Sequence, residues 1–287
     1  MTKEEFSKRL AQGPLLLDGA TGSNLMAAGM PRGVSTELWI LDHPDVLVDL
    51  QRAYADAGCQ VVYAPTFQAN GVSMPEADLD DLIPRLVALS RQATGGRTLI
   101  AGDISSTGRM APLGPVTYEQ LLAGYTAAIA ALDRAGVDYL AAETLMTVEE
   151  ATAILDAAAS VTDLPVTVSM TIEADGSLLF GGNIFDAAAD LAAMGAAAVG
   201  INCSVGPDQL EAVVAGIARR VDVPVIAKPN AGMPEIGPDG VAVYGMGPEA
   251  FASAMVRLRD AGATLLGGCC GTTPAHLAEL VRRSKVR

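Results

Sequence analysis

Short, mostly apolar runs recur along this chain, separated by longer stretches whose apolar residues fall three and four apart. The runs at 15–18, 61–64, 98–102, 139–143, 166–170, 197–202, 225–228 and 265–268 read as buried strands, and the stretches between them as helices. Four runs follow the same lead-in: Ala57-Gly58, Ala135-Gly136, Met194-Gly195 and Ala261-Gly262. Glycine at that point ends a helix in the left-handed conformation that it alone adopts cheaply, and the next strand begins at once. Strand, loop, helix, glycine, strand is the rhythm of βα units joined by right-handed crossovers. Eight such units predict a closed (β/α)8 barrel, an α/β fold occupying 1–287 as one domain.

The residues that end these runs are polar. Asp18-Gly19-Ala20-Thr21-Gly22 follows the first and Pro65-Thr66-Phe67 the second; Asp103 follows the third and Glu143-Thr144 closes the fourth. Asn202-Cys203-Ser204 ends the sixth, Pro229-Asn230-Ala231-Gly232 the seventh, and Cys269-Cys270 the eighth. A barrel brings all of these to one rim, so a single active site is expected there. The Asp18-Gly19 turn reads either as an anion cradle or as a tight βα turn. Glu143 suits a substrate ammonium or a structural hydrogen bond, and Asn202 and Asn230 suit loops as well as ligand. Trp39 and Glu37 fit either the mouth of the site or packing at a helix start. His43 and His276 read as surface or capping residues, since their spacing forms no metal motif. Cys59 precedes the second strand, on the opposite face, and reads as a small buried hydrophobe.

Composition narrows the partners. Half the residues are hydrophobic and only 4% aromatic, which suits a sizeable core of helices packed closely on a parallel sheet. The net charge of -14, from 33 acids against 19 bases, argues against nucleic acid or an anionic membrane as partner. No apolar run approaches the roughly 18 to 20 residues of a membrane helix. The polar start Met1-Thr2-Lys3-Glu4-Glu5 carries no secretory pattern, so a cytoplasmic setting is expected. In that setting the 4 cysteines favour metal or catalytic use over a disulfide scaffold.

Three of those cysteines carry the chemistry. Cys203, Cys269 and Cys270 stand at the ends of two apolar strands, and three reduced thiols make a seat for Zn²⁺ with one position open. Zinc on three thiolates carries net charge -1 and is a poor electrophile. Its use is to take an incoming thiol, lower that thiol's pKa and keep the sulfur electron-rich. That points to alkyl transfer onto a thiol.

At these residues the chain resembles the zinc-dependent homocysteine S-methyltransferases. Gly267-Gly268-Cys269-Cys270-Gly271-Thr272-Thr273-Pro274 and Gly200-Ile201-Asn202-Cys203-Ser204 are similar to the two metal-binding motifs of that family. Asp18-Gly19-Ala20 and Glu143-Thr144 are similar to its N-terminal and central motifs, and the likeness runs from about residue 14 to about residue 283. The resemblance implies a TIM barrel in which Cys203, Cys269 and Cys270 ligate zinc and homocysteine supplies the fourth ligand on the way to methionine. It implies that Asp18, Gly19 and Glu143 lie near the amino-acid end of the substrate; Asn202 and Asn230, as neutral donors at the same rim, are the further candidate substrate contacts. Lys228-Pro229-Asn230-Ala231-Gly232-Met233-Pro234 looks like the homocysteine module of cobalamin-dependent methionine synthase, as does Gly176-Ser177-Leu178-Leu179-Phe180-Gly181-Gly182. The donor implied is then a methylcorrinoid carried by a separate protein. The alternatives are S-methylmethionine as donor, another small thiol as acceptor, or a zinc- or homocysteine-binding module without turnover. A betaine donor would call for an aromatic cage that this chain is poor in. Ala64-Pro65-Thr66 stands where the family has Glu-Thr, a departure at the end of the second strand.

Overall fold

A computed structural model describes residues 1–237 and 242–284. Its strands are β1 (Leu15–Leu16), β2 (Val61–Tyr63), β3 (Leu99–Ser105), β4 (Tyr139–Leu145), β5 (Val166–Met170), β6 (Ala198–Cys203), β7 (Val225–Pro229), β8 (Pro234–Ile236), β9 (Ala242–Tyr244) and β10 (Ala263–Leu266). Eight of them form one sheet in the order β1-β10-β7-β6-β5-β4-β3-β2, and every pairing in it is parallel. At least one helix crosses back between each strand and the next in this sheet, and a last helix, Pro274–Ser284, follows β10. The lead-in glycines at 58, 136, 195 and 262 all have positive φ, between 76° and 119°, as their position at helix ends requires.

The two ends of the sheet meet through side chains as well as backbone. Gln60 N–H donates to the Leu16 carbonyl at 2.7 Å, while the Gln60 Oε1 accepts from Leu16 N–H at 2.9 Å. One turn further up, Tyr63 N–H donates to the Asp18 carboxylate at 2.8 Å. These bonds close β1 on β2 where the strands themselves are too short for a ladder, and the sheet becomes the expected barrel.

Inside, alternate residues of each strand face the axis. Leu15, Leu17, Val61, Tyr63, Ala101, Tyr139, Ala141, Ala198, Ile226 and Leu265 fill the lower barrel. Phe6, from the helix Lys3–Leu10, plugs its floor, its ring 5.1 Å from that of Tyr139. The larger core lies between the sheet and the surrounding helices. No helix among the described residues is long and apolar enough to cross a membrane.

Several elements differ from the sequence expectation. β1 stops at Leu16, β3 runs on to Ser105 and so takes in Asp103, and the last barrel strand is the apolar run Ala263–Leu266 that precedes the glycine pair, without Gly267 and Gly268. Backbone bonding continues past it, Gly267 N–H donating to the Ala227 carbonyl at 3.1 Å and Gly268 N–H to the Asp18 carbonyl at 3.0 Å, and a Cβ on Gly267 would lie 2.8 Å from that same carbonyl. The antiparallel β8–β9 hairpin between β7 and the helix Pro248–Asp260 was not expected at all. Its strands are mostly exposed, so no buried apolar run announces them.

The seam yields a prediction. Gln60→Ala leaves the Leu16 N–H without its acceptor and lowers unfolding free energy by about 1–3 kcal/mol. Gln60→Glu, which keeps an acceptor, loses less. Denaturant midpoints at unchanged slope are the readout, and equal stability of all three proteins would show that the seam does not depend on this side chain.

Candidate metal centre

Cys203 is the last residue of β6, while Cys269 and Cys270 sit in the turn between β10 and the helix Pro274–Ser284. The strands aim all three at the same rim. Their Sγ atoms lie within 4.8 Å of one another, with Cys203 and Cys270 4.0 Å apart, and all are unbridged and half-buried. Among the described residues no other group of acids, histidines or cysteines is arranged this way.

The two turns are held hard. Cys269 N–H donates to the Pro229 carbonyl at 2.8 Å, and the Cys270 carbonyl accepts from Ala231 N–H at 2.9 Å. The Thr272 hydroxyl donates to the Cys269 carbonyl at 2.7 Å and accepts from Ala20 N–H at 3.0 Å. Gly268 is required here, since a Cβ would lie 2.5 Å from the Thr272 hydroxyl. On β6, Cys203 and Ser204 take positive φ of 59° and 67°, a conformation non-glycine residues rarely adopt. It turns the Cys203 thiol toward the pair across the rim.

Packed this closely, the thiols divide one charge. Cys270 receives hydrogen bonds from Cys203, Cys269 and the Tyr244 hydroxyl, which hold it well below the ordinary thiol range. Cys269 goes up through its bonds to Cys203 and Cys270 and through burial. A bond with Cys269 pulls Cys203 down, but its bond to Cys270 and its burial outweigh this and push it up to about 12. Three soft sulfurs with one anion already in place, open on one side, match what a tetrahedral thiophilic cation needs from a protein.

Asn202, completely buried, braces this centre. Its Oδ1 accepts from Thr144 N–H at 2.7 Å and from the Ser169 hydroxyl at 2.9 Å, and its Nδ2 donates to the Thr144 hydroxyl at 2.7 Å. Those bonds hold Thr144 at φ 57° and so fix the turn that carries Glu143. The Asn202 Nδ2 also lies 3.9 Å from the Cys269 sulfur. Asn230 Nδ2 donates to the Ser204 carbonyl at 2.8 Å and leaves its Oδ1 buried without a partner. Gly19 packs against Thr272 and Tyr54, where a Cβ would come within 2.7 Å of both hydroxyls.

Below the thiols lies a buried ionic group. Lys228 Nζ sits 3.1 Å from Glu143 Oε2 and 3.5 Å from Asp18 Oδ1, and 3.4 Å from the centre of the Tyr63 ring. Burial alone would pull the Lys228 ammonium down, but Glu143 and Asp18 outweigh it and hold it above the ordinary range. Burial pushes the Asp18 carboxyl up to about 6, against the opposing pull of Lys228 and of the Tyr63 N–H. Sequence reasoning brought Asp18 and Glu143 to this place but gave no role to Lys228 or to Asp103. The signal was there: both continue the inward-facing rows of β7 and β3, two residues beyond Ile226 and Ala101.

The other flagged residues are structural. Glu37 is buried and accepts from Gln68 N–H at 2.8 Å, while Trp39 packs on the His43 ring at 4.4 Å. His276 accepts at Nδ1 from Thr273 N–H and faces the Met246 carbonyl with Nε2 at 2.9 Å, a capping role. Cys59 is buried at the opposite end, its thiol pushed up by burial.

Comparison with known proteins agrees with this geometry. A family model described as homocysteine S-methyltransferase matches residues 15–284. The chain is 31% identical over 296 residues to methionine synthase of Mycobacterium tuberculosis, covering 94% of this chain and 24% of that protein. To methionine synthase of Mycobacterium leprae it is 29% identical, covering 96% and 25%. It thus spans about a quarter of the length of these relatives. The crystal structure of the homocysteine methyltransferase MmuM from Escherichia coli, metallated form, superposes with a TM-score of 0.80 at 25% identity, covering 96% of this chain and 98% of that one.

Two outcomes follow from the ionic group. Lys228→Met strands two buried carboxylates and costs about 3–5 kcal/mol at pH 7, a loss that shrinks in acid as they protonate. Denaturation at pH 5 and pH 7 checks both halves of that statement. For Asp18, the folded chain keeps a proton up to about pH 6 that the unfolded chain, at the ordinary 3.8, has released. Unfolding between about pH 4 and 6 therefore releases a proton, and this group's contribution to stability falls as pH rises, by at most about 3 kcal/mol. The stability difference between wild type and Asp18→Asn should fall across that window; a flat difference would deny the shift.

Proposed function

The chain belongs to the homocysteine S-methyltransferase family, and on that footing we propose that it moves a methyl group onto the thiol of homocysteine to give methionine. The observation that carries this reading is the convergence of the Cys203, Cys269 and Cys270 sulfurs at the barrel rim. Those three residues would hold zinc, which when bound supplies the acidity that keeps an acceptor thiol deprotonated at neutral pH.

The chain's own residues do the rest. The paired turns at 203–204 and 267–273 hold the ligand sulfurs on separate strands, so a fourth donor has one side from which to approach. Lys228 fixes Glu143 and Asp18 beside the centre, where carboxylates suit the amino-acid end of the substrate. Asn202 holds the Glu143–Thr144 turn, and the free Asn230 Oδ1 offers an acceptor at the same rim. In the transfer, the homocysteine sulfur forms a new bond to the methyl carbon while the donor–methyl bond breaks with its electron pair staying on the donor. The thiol proton passes to solvent.

For the donor we favour a methylcorrinoid carried by a separate protein, because the 228–234 and 176–182 stretches resemble the homocysteine module of cobalamin-dependent methionine synthase. The alternative donor, S-methylmethionine, is one that the family resemblance also allows.

The test is zinc content and methyl transfer in wild type and in Cys203→Ala, Cys269→Ala and Cys270→Ala, with X-ray absorption at the zinc edge. Wild type should bind one zinc in a three-sulfur site that gains a fourth sulfur with homocysteine. Each variant should lose zinc and at least 100-fold in rate, on the order of what removal of an essential ligand costs, and keep its circular dichroism. A site indifferent to homocysteine would refute the reading. Supplying methylcobalamin and S-methylmethionine in turn separates the two donors.

A further inference from the structure

The upper barrel breaks the apolar filling of the lower one with charge. Asp103 continues the inward row of β3 above Ala101, Glu143 that of β4 above Ala141, and Lys228 that of β7 above Ile226. Together with Asp18, this sets three buried carboxyls against one buried ammonium. The ammonium is already committed: Lys228 lies against Glu143 and Asp18.

Asp103 is left over. It is 6% exposed, and its Oδ1 is buried without a hydrogen-bond partner. Its position is nevertheless fixed, because its N–H donates to the Thr66 hydroxyl at 3.2 Å and its carbonyl accepts from the same hydroxyl at 2.8 Å. The backbone is pinned, and one carboxyl oxygen, Oδ1, is left without a partner. Burial pushes that carboxyl well above the ordinary range, with Glu143 raising it further, Lys228 opposing, and Asp18 and Glu37 adding to the rise. A buried carboxyl so placed lacks a cation that the folded chain does not supply.

We propose that Asp103 is a substrate-binding residue that receives the α-ammonium of the acceptor amino acid. The inference rests on the homocysteine reading above and deepens it. An incoming ammonium brings three N–H donors and the positive charge that a buried carboxylate needs. Lys228 serves alongside as the internal cation that keeps Asp18 and Glu143 together, so the substrate need not neutralise all three acids.

The experiment compares wild type and Asp103→Asn, zinc-loaded, with three acceptors. Homocysteine carries both ends, 3-aminopropane-1-thiol lacks the carboxylate, and 4-mercaptobutanoate lacks the ammonium. Binding is measured by calorimetry, and turnover with whichever donor supports wild type. Asp103→Asn should weaken homocysteine and 3-aminopropane-1-thiol by about 10- to 100-fold, mainly in Kd and KM, the range for a charge-assisted hydrogen bond. It should leave 4-mercaptobutanoate within about twofold of wild type. Without ligand, the variant should melt at or above the wild-type temperature, since it removes an uncompensated acid. Equal losses on all three acceptors, a loss that follows the carboxylate, or no loss would overturn the proposal. Wild type that binds and methylates homocysteine while Asp103→Asn does so equally well sinks this inference alone. Wild type that neither binds nor methylates homocysteine sinks the functional reading as well.

Discussion

Asp18 does two things with one carboxylate, and the molecule is organised around that economy. It accepts the Tyr63 N–H across the seam between β1 and β2, and it faces the ammonium of Lys228 on β7. Through Lys228 the same contact reaches Glu143 on β4. Barrel closure and pocket charge thus meet at a single buried group whose neighbours come from three other strands. A buried pair of this kind adds little net stability over an apolar filling, but losing one member is expensive. The arrangement therefore fixes geometry more than it strengthens the fold.

The rim that carries the three cysteines is built the same way, with local strain held by well-placed partners. Thr144, Cys203 and Ser204 are the non-glycine residues described at positive φ, and they lie at the ends of β4 and β6, on either side of β5, around one asparagine. Asn202 bonds both backbone and hydroxyl of Thr144, and its own chain continues directly into the strained Cys203. Such conformations cost of order 1–3 kcal/mol each and persist where the surroundings over-determine them. Here the surroundings are a strand pair and a buried amide, both rigid.

Much of this was legible in the chain. The eight apolar runs appear as strands because burial on both faces leaves little room for polar residues, and the glycines before four of them do take the left-handed conformation. The cysteines were legible because adjacent thiols after a glycine pair have few structural uses. The rest depended on distance. The β8–β9 hairpin buries too little to leave a pattern, and the strand ends depend on which backbone groups find partners on the adjacent strand. Lys228 and Asp103 sit in a buried, charged layer set by register between strands far apart in sequence. Alternation along β3 and β7 places them inside, but only the folded barrel shows which of them has a partner.

The phenyl ring of Phe6, wedged into the base of the barrel against Tyr139, completes a filled lower interior. A barrel packed in this way is a core and not a pore. The space below the polar layer is therefore closed by side chains at every level, and a small molecule can meet this fold only above them, where Asp18, Glu143 and Lys228 begin.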